Sequence, residues 1–179
     1  ADIGIKPASI TSVDSRYYDT GELSWNTSGA EAVGTYATTA KSTASLKANM
    51  VSEVNSIASS NLAQSDWMSI RAADGGTAIP SAWATYRTAL RTTANAKETA
   101  INALANLDAI KAYHAHPVTY TRKTGTTDSE GVTTWAAPNI TTDTTVNKVS
   151  WTELGSHADS WPTSPDRAAD PSFVSVANT

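Results

Sequence analysis

Trp83, Tyr86, Leu90, Ala94, Lys97, Ile101 and Leu104 recur at spacings of three and four, the clearest periodicity in the chain. Side chains at that period fall on one face of an α-helix. A stripe about six turns long has to be buried against a second element, so the chain is constrained to build at least a helical pair. Pro80 suits the first turn of this helix, where its missing N–H costs nothing. The helix is expected to run to about Tyr113, short of Pro117. Its partner is read upstream, where Leu46, Met50, Val54 and Ile57 step by four, four and three, with Leu62 close to the next position. This gives a helix over residues 30–63, of which 30–43 rests on Ala and Thr alone. Ser65-Asp66 then opens a second, short helix, because the Asp66 carboxylate can accept from the free amides of a first turn. Trp67, Ile70 and Arg71 share a face of it. Asp74-Gly75-Gly76 ends it, with glycine supplying the left-handed conformation of a helix C-terminus.

The core available to these helices is thin. Ile, Leu, Val and Phe number 27 of 179 residues, below the roughly 20 % under which chains tend toward disorder. The net charge of −4 is too small to drive disorder by itself. Order is therefore expected to come in part from neighbouring subunits. Six Trp and six Tyr against one Phe suit such a chain, since rings with a polar edge are favoured at interfaces.

The flanks read as extended. Residues 1–29 form an arm with turn signals at Asp14-Ser15, Asp19-Thr20-Gly21 and Asn26-Thr27-Ser28-Gly29, and with short strand candidates at 8–13 and 22–25. Val118, Tyr120 and Arg122 alternate with Thr119 and Thr121. Residues 126–131 then make a turn and 132–135 return, which gives a β-hairpin over 117–137. A short strand is read within 146–154, and 159–171, with three prolines, is expected to be extended. The fold expected is α+β and mainly helical: a central antiparallel helical hairpin, a small β-hairpin, and extended N- and C-terminal arms. The regions are an arm at 1–29, a helical body at 30–116, and a hairpin with an extended segment at 117–179.

Most chemistry is unsupported by this sequence. Cysteine is absent, so there is no disulfide framework, thiolate metal site or cysteine nucleophile. His114 and His116 sit two apart with no further ligands nearby, and read as polar residues at a helix end. Gly75-Gly76 lacks the Lys-Ser/Thr and preceding strand of a phosphate loop. His157 stands alone, and no G-x-S-x-G elbow exists. Spacing leaves paired carboxylates open, because they meet only in a fold, but no motif supports them. Asn26-Thr27-Ser28 and Asn139-Ile140-Thr141 match the glycosylation pattern, yet the opening ADIGIKPASI has neither a basic nor an apolar leader region, so both read as chance. No apolar run approaches the roughly 20 residues of a membrane span, and the acidic balance argues against a general grip on nucleic acid. No catalytic residue, cofactor, metal, membrane, nucleic acid or small-molecule substrate is expected.

Residues 61–91 carry the specific signal. Trp83, Tyr86 and Leu90 form an apolar stripe bordered by Arg87 and Arg91, whose stems can lie along rings while their guanidinium groups meet a carboxylate. A short loop brings Asp66 and Trp67 back toward them. Trp67 is expected to pack on Trp83, and Asp66 to pair with Arg87 or Arg91. The ordered parts Leu62, Asp66-Trp67 and Trp83-x-x-Tyr86-Arg87-x-x-Leu90-Arg91, followed by Trp161-Pro162-Thr163-Ser164-Pro165, resemble the tail assembly chaperone-like domain family of tailed bacteriophages. The chain departs from that pattern at Thr92, where an acidic residue is usual, and in the long insert before Trp161.

The resemblance implies a phage context and a protein located in the virion, assembled in the host cytoplasm. Its partners would be other virion proteins and copies of itself. The role expected is a structural protein of the tail, baseplate or fibre-attachment region, with Trp161 and Pro162 docking the C-terminal segment and both arms lying on neighbouring subunits. A head decoration protein and a transient tail-fibre assembly chaperone are the alternatives, and a tail enzyme acting on glycans is a further one.

Overall fold

The computed structural model describes residues 5–115, 118–122, 125–129, 132–135, 139–143, 148–149 and 160–169. The protein is α+β, with a small three-stranded sheet and long helices. It divides into two compact units, Ala1–Leu46 and Lys47–Thr179.

The first unit is a three-stranded sheet. Strands β1 (Ala8–Ile10), β2 (Tyr18–Asn26) and β3 (Ala32–Ala40) lie in the order β1-β3-β2, with β1 parallel and β2 antiparallel to β3. The residues expected to begin a helix at 30 are therefore a central strand. The run AVGTYATTA is rich in β-branched and aromatic residues, with Val33, Thr35, Tyr36, Thr38 and Thr39, and such side chains favour a pleated surface over a helix. The expected turns hold at both ends of β2. The Asp14 carbonyl accepts from Tyr17 N and Tyr18 N, each at 3.1 Å. Asn26 Oδ1 accepts from Ser28 N at 3.0 Å and from Ser28 Oγ at 2.7 Å. Asp19-Thr20-Gly21 does not turn the chain; it lies at a register shift inside β2 between Thr20 and Leu23. Ile10, Gly34 and Trp25 are aligned across the three strands. A Cβ at Gly34 would sit 3.2 Å from both the Ile10 side chain and the Trp25 ring, so these two close over the glycine on one face. Ile10 nevertheless stays 50 % exposed and Trp25 49 %.

In the second unit the helices form an antiparallel hairpin. Helix α1 (Thr43–Ala73) is continuous, and α2 (Ser81–Ala103) returns beside it. Lys47 Nζ donates to Asn102 O at 3.0 Å, and Arg87 Nη1 donates to Leu62 O at 3.0 Å. These bonds are fifteen residues apart on each helix, so the register does not slip between them. Leu46, Met50 and Val54 are buried as the spacing predicts, but the stripe continues through Ala58, Ser65 and Met68 rather than Ile57. No helix starts at Ser65-Asp66. The stripe runs through that point, and tertiary packing outweighs a local capping signal. Helix α1 ends as expected: Gly76 N bonds to Arg71 O at 2.9 Å, Gly75 N to Ala72 O at 3.3 Å, and Gly75 has φ +81°. This is the left-handed glycine cap with its two reverse bonds.

Trp83, Tyr86, Leu90, Ala94, Lys97 and Ile101 are all buried on α2. The helix stops earlier than expected. Leu104 is extended, and the Asn106 side chain accepts from Ala109 N to cap a separate helix, α3 (Leu107–His114). Asn106, three residues past the last residue of α2, competes with helix continuation by capping a new turn.

The hairpin expected over 117–137 is paired differently: residues 133–135 return not on 118–122 but on 125–127, which include part of the expected turn. Strand β4 (Val118–Arg122) pairs antiparallel with β7 (Asn139–Asp143), and β5 (Gly125–Thr127) pairs with β6 (Thr133–Trp135). The turn closes where Val132 N donates to Asp128 Oδ1 at 2.9 Å. The expected strand within 146–154 lies outside the described residues, apart from 148–149, which are in a turn. Within 159–171, residues Pro165–Ala169 form a short helix, α4, not an extended segment. Proline is accommodated at its first position, where no amide is needed.

Candidate functional site

Part of the 61–91 motif meets on the helical hairpin, centred on Arg87. Arg87 is 7 % exposed, and its Nη1 faces three oxygens of α1: Leu62 O at 3.0 Å, Ser65 Oγ at 2.7 Å and Asp66 Oδ1 at 2.9 Å. Asp66 thus pairs with Arg87, one of the two partners the sequence allowed. Its side chain is 53 % exposed, so the ion pair itself contributes at most about 1 kcal/mol. The bonds to the buried Ser65 hydroxyl and to the Leu62 carbonyl hold Arg87 more firmly, because they lie away from water. Arg91, one turn further along α2, is exposed and makes no ion pair among the described residues.

Trp83 and Tyr86 pack edge to face at 5.6 Å and 82°, and Leu90 is fully buried beside them on α2. Trp67 does not join them. It is 54 % exposed, with the Arg71 guanidinium 4.9 Å over its ring. The reason is the continuity of α1. Ser65 and Met68 face inward, and at about 100° per residue Trp67 lies roughly 130° round from their midpoint. Trp67→Ala is accordingly expected to cost less than about 1 kcal/mol. A urea melt showing a loss above about 2 kcal/mol would contradict the outward placement.

Burial pushes the Tyr86 phenol above its ordinary value of 10.0, because the phenolate would lose hydration there. The folded chain keeps this proton at pH values where the unfolded chain has released it. The stability it contributes is complete below about pH 10 and is lost as the pH rises from there through the higher folded value. Tyr86→Phe has no such proton. Its unfolding free energy should fall less steeply than that of the native chain above about pH 10, as denaturant melts at pH 9 and pH 11 can show. Parallel slopes would mean the phenol is hydrated.

Trp161 is 2 % exposed. Its Nε1 donates to Val149 O at 2.9 Å, and Lys97 Nζ sits 5.6 Å from its ring. Lys97 also donates to Lys148 O at 2.5 Å. Pro162 is half-buried. The expected docking of this segment therefore takes place on the chain's own second unit. Trp161 is not left free to anchor a neighbouring subunit. The sequence placed Lys97 in the α2 stripe but gave no sign that its ammonium would meet this ring.

Among the described residues, no group of three His, Cys, Asp or Glu side chains could hold a metal ion. No described helix is long and apolar enough to cross a membrane. Comparisons with protein-family models, with curated proteins and with solved structures find no match to this chain.

Proposed function

We propose that this chain is a structural virion protein of a tailed bacteriophage, in the tail, baseplate or fibre-attachment region, acting through contacts between subunits and without chemistry of its own. The motif Leu62, Asp66-Trp67, Trp83, Tyr86-Arg87 and Leu90-Arg91 supplies the phage context. The observation that carries the adhesive role is the sheet at residues 5–40. One of its faces brings Ile10 and Trp25 together over Gly34, yet leaves each about half exposed. A small sheet with an open apolar face gains stability when another layer covers it.

The role is tested by a nonsense mutation in the gene, propagated on suppressing and non-suppressing hosts. The expected result without suppression is particles that lack tail or fibre structures, or that fail to adsorb. Normal yields of infectious particles would overturn the proposal.

A further inference from the structure

A groove of about 470 Å³ runs along the seam between α1 and α2. Its floor includes Ala58 and Ala94, both buried, whose small side chains leave the seam concave. Its walls are polar: Asn55 and Asp66 on one side, Arg91 and Asn95 on the other, all exposed. Two features bear on what it could hold. The side-chain amides of Asn55 and Asn95 make no hydrogen bond among the described residues, although the helix register sets them near one another across the groove. Arg87 is neutralised by Asp66, whereas Arg91 meets no carboxylate among the described residues. The groove therefore carries one net positive charge on a chain whose net charge is −4.

We propose that this groove binds an extended polypeptide segment of a partner protein that carries a carboxylate side chain. The inference rests on the adhesive role proposed above and assigns its partner chemistry. An asparagine amide offers one donor and one acceptor group, which is what a peptide backbone presents. Arg91 supplies a fork that a carboxylate can meet with two bonds. From Asn55 to Asp66 is eleven residues of helix, about 16 Å, or the length of about five extended residues. A phosphodiester chain fits less well, because only one cation is left uncompensated along that length.

The test is a titration of the full-length, nitrogen-15-labelled chain followed by NMR. The probe is a library of capped pentapeptides with aspartate fixed at the centre. The same library with asparagine at the centre, and an oligoadenylate of five nucleotides, serve as comparisons. The aspartate library should shift the side-chain signals of Asn55, Asn95 and Arg91, and bind about fivefold more tightly than the asparagine library. Arg91→Glu should weaken binding of the aspartate library by about fivefold or more while leaving the melting temperature within a few degrees, since Arg91 is exposed. The proposal is overturned by equal binding of the two libraries, by shifts that lie elsewhere or are absent, by unchanged binding in Arg91→Glu, or by the oligoadenylate displacing the peptides. This experiment needs no phage particle. The groove assignment and the virion role can therefore fail separately.

Discussion

Trp83→Ala is expected to destabilise the chain by about 3–5 kcal/mol, the range for removing a large aromatic side chain from a core. Trp83 is 8 % exposed and meets Tyr86 edge to face. The substitution therefore opens a cavity and also removes an aromatic pair worth about 0.5–1.5 kcal/mol. Large aliphatic residues are few in this chain, which limits how far the core can relax into the gap. A loss of this size is a large part of the roughly 5–15 kcal/mol that ordinary domains possess. Denaturant melts of Trp83→Ala and Trp83→Phe check it, with Phe keeping much of the packing and costing clearly less. A loss below about 1 kcal/mol for the alanine variant would mean that the ring is exposed and that the core has been assigned to the wrong face of α2.

Trp161→Ala should be comparably severe, at about 3–5 kcal/mol, but the consequence is first local. The ring is buried, donates to the Val149 carbonyl and lies against Lys97, so its loss undocks residues 160–169 from α2. Hydrogen exchange should speed up in this segment and at Val149 before it does in the middle of α2. Trp161→Phe separates the contributions. It retains apolar burial and a ring for Lys97 but removes the indole donor, at about 1 kcal/mol. Unchanged exchange in Trp161→Ala would show that the segment is held by something other than this side chain.

The long-range periodicities were legible in the sequence, and the local signals were less dependable. The α2 stripe was read residue by residue because six buried positions from Trp83 to Ile101 repeat the helical period. The glycine cap at Gly75 was legible because a positive φ admits few residues. Strand β3 was missed because its Ala and Thr residues carry no apolar alternation, and its stability comes from ladder bonds to β1 and β2, which are distant in sequence. The break before α3 was marked by Asn106, whose capping signal was outweighed by the stripe running into Leu104. The false start at Asp66 was the opposite case, since a good capping residue there is used for tertiary contact with Arg87 instead. Within the site, the identity of the Asp66 partner needed three-dimensional register, as did the outward turn of Trp67. The groove at Asn55, Arg91 and Asn95 had no sequence signature, because it arises from two helices placed side by side.

The proposed role makes this chain a permanent structural part of a phage particle. Quantitative mass spectrometry of purified particles tests it most directly, by counting copies of the chain against the major capsid and tail-tube proteins. The expected result is a low count of this chain, in a small multiple of three or six per particle. Absence from mature particles would contradict it and leave a transient assembly role in its place.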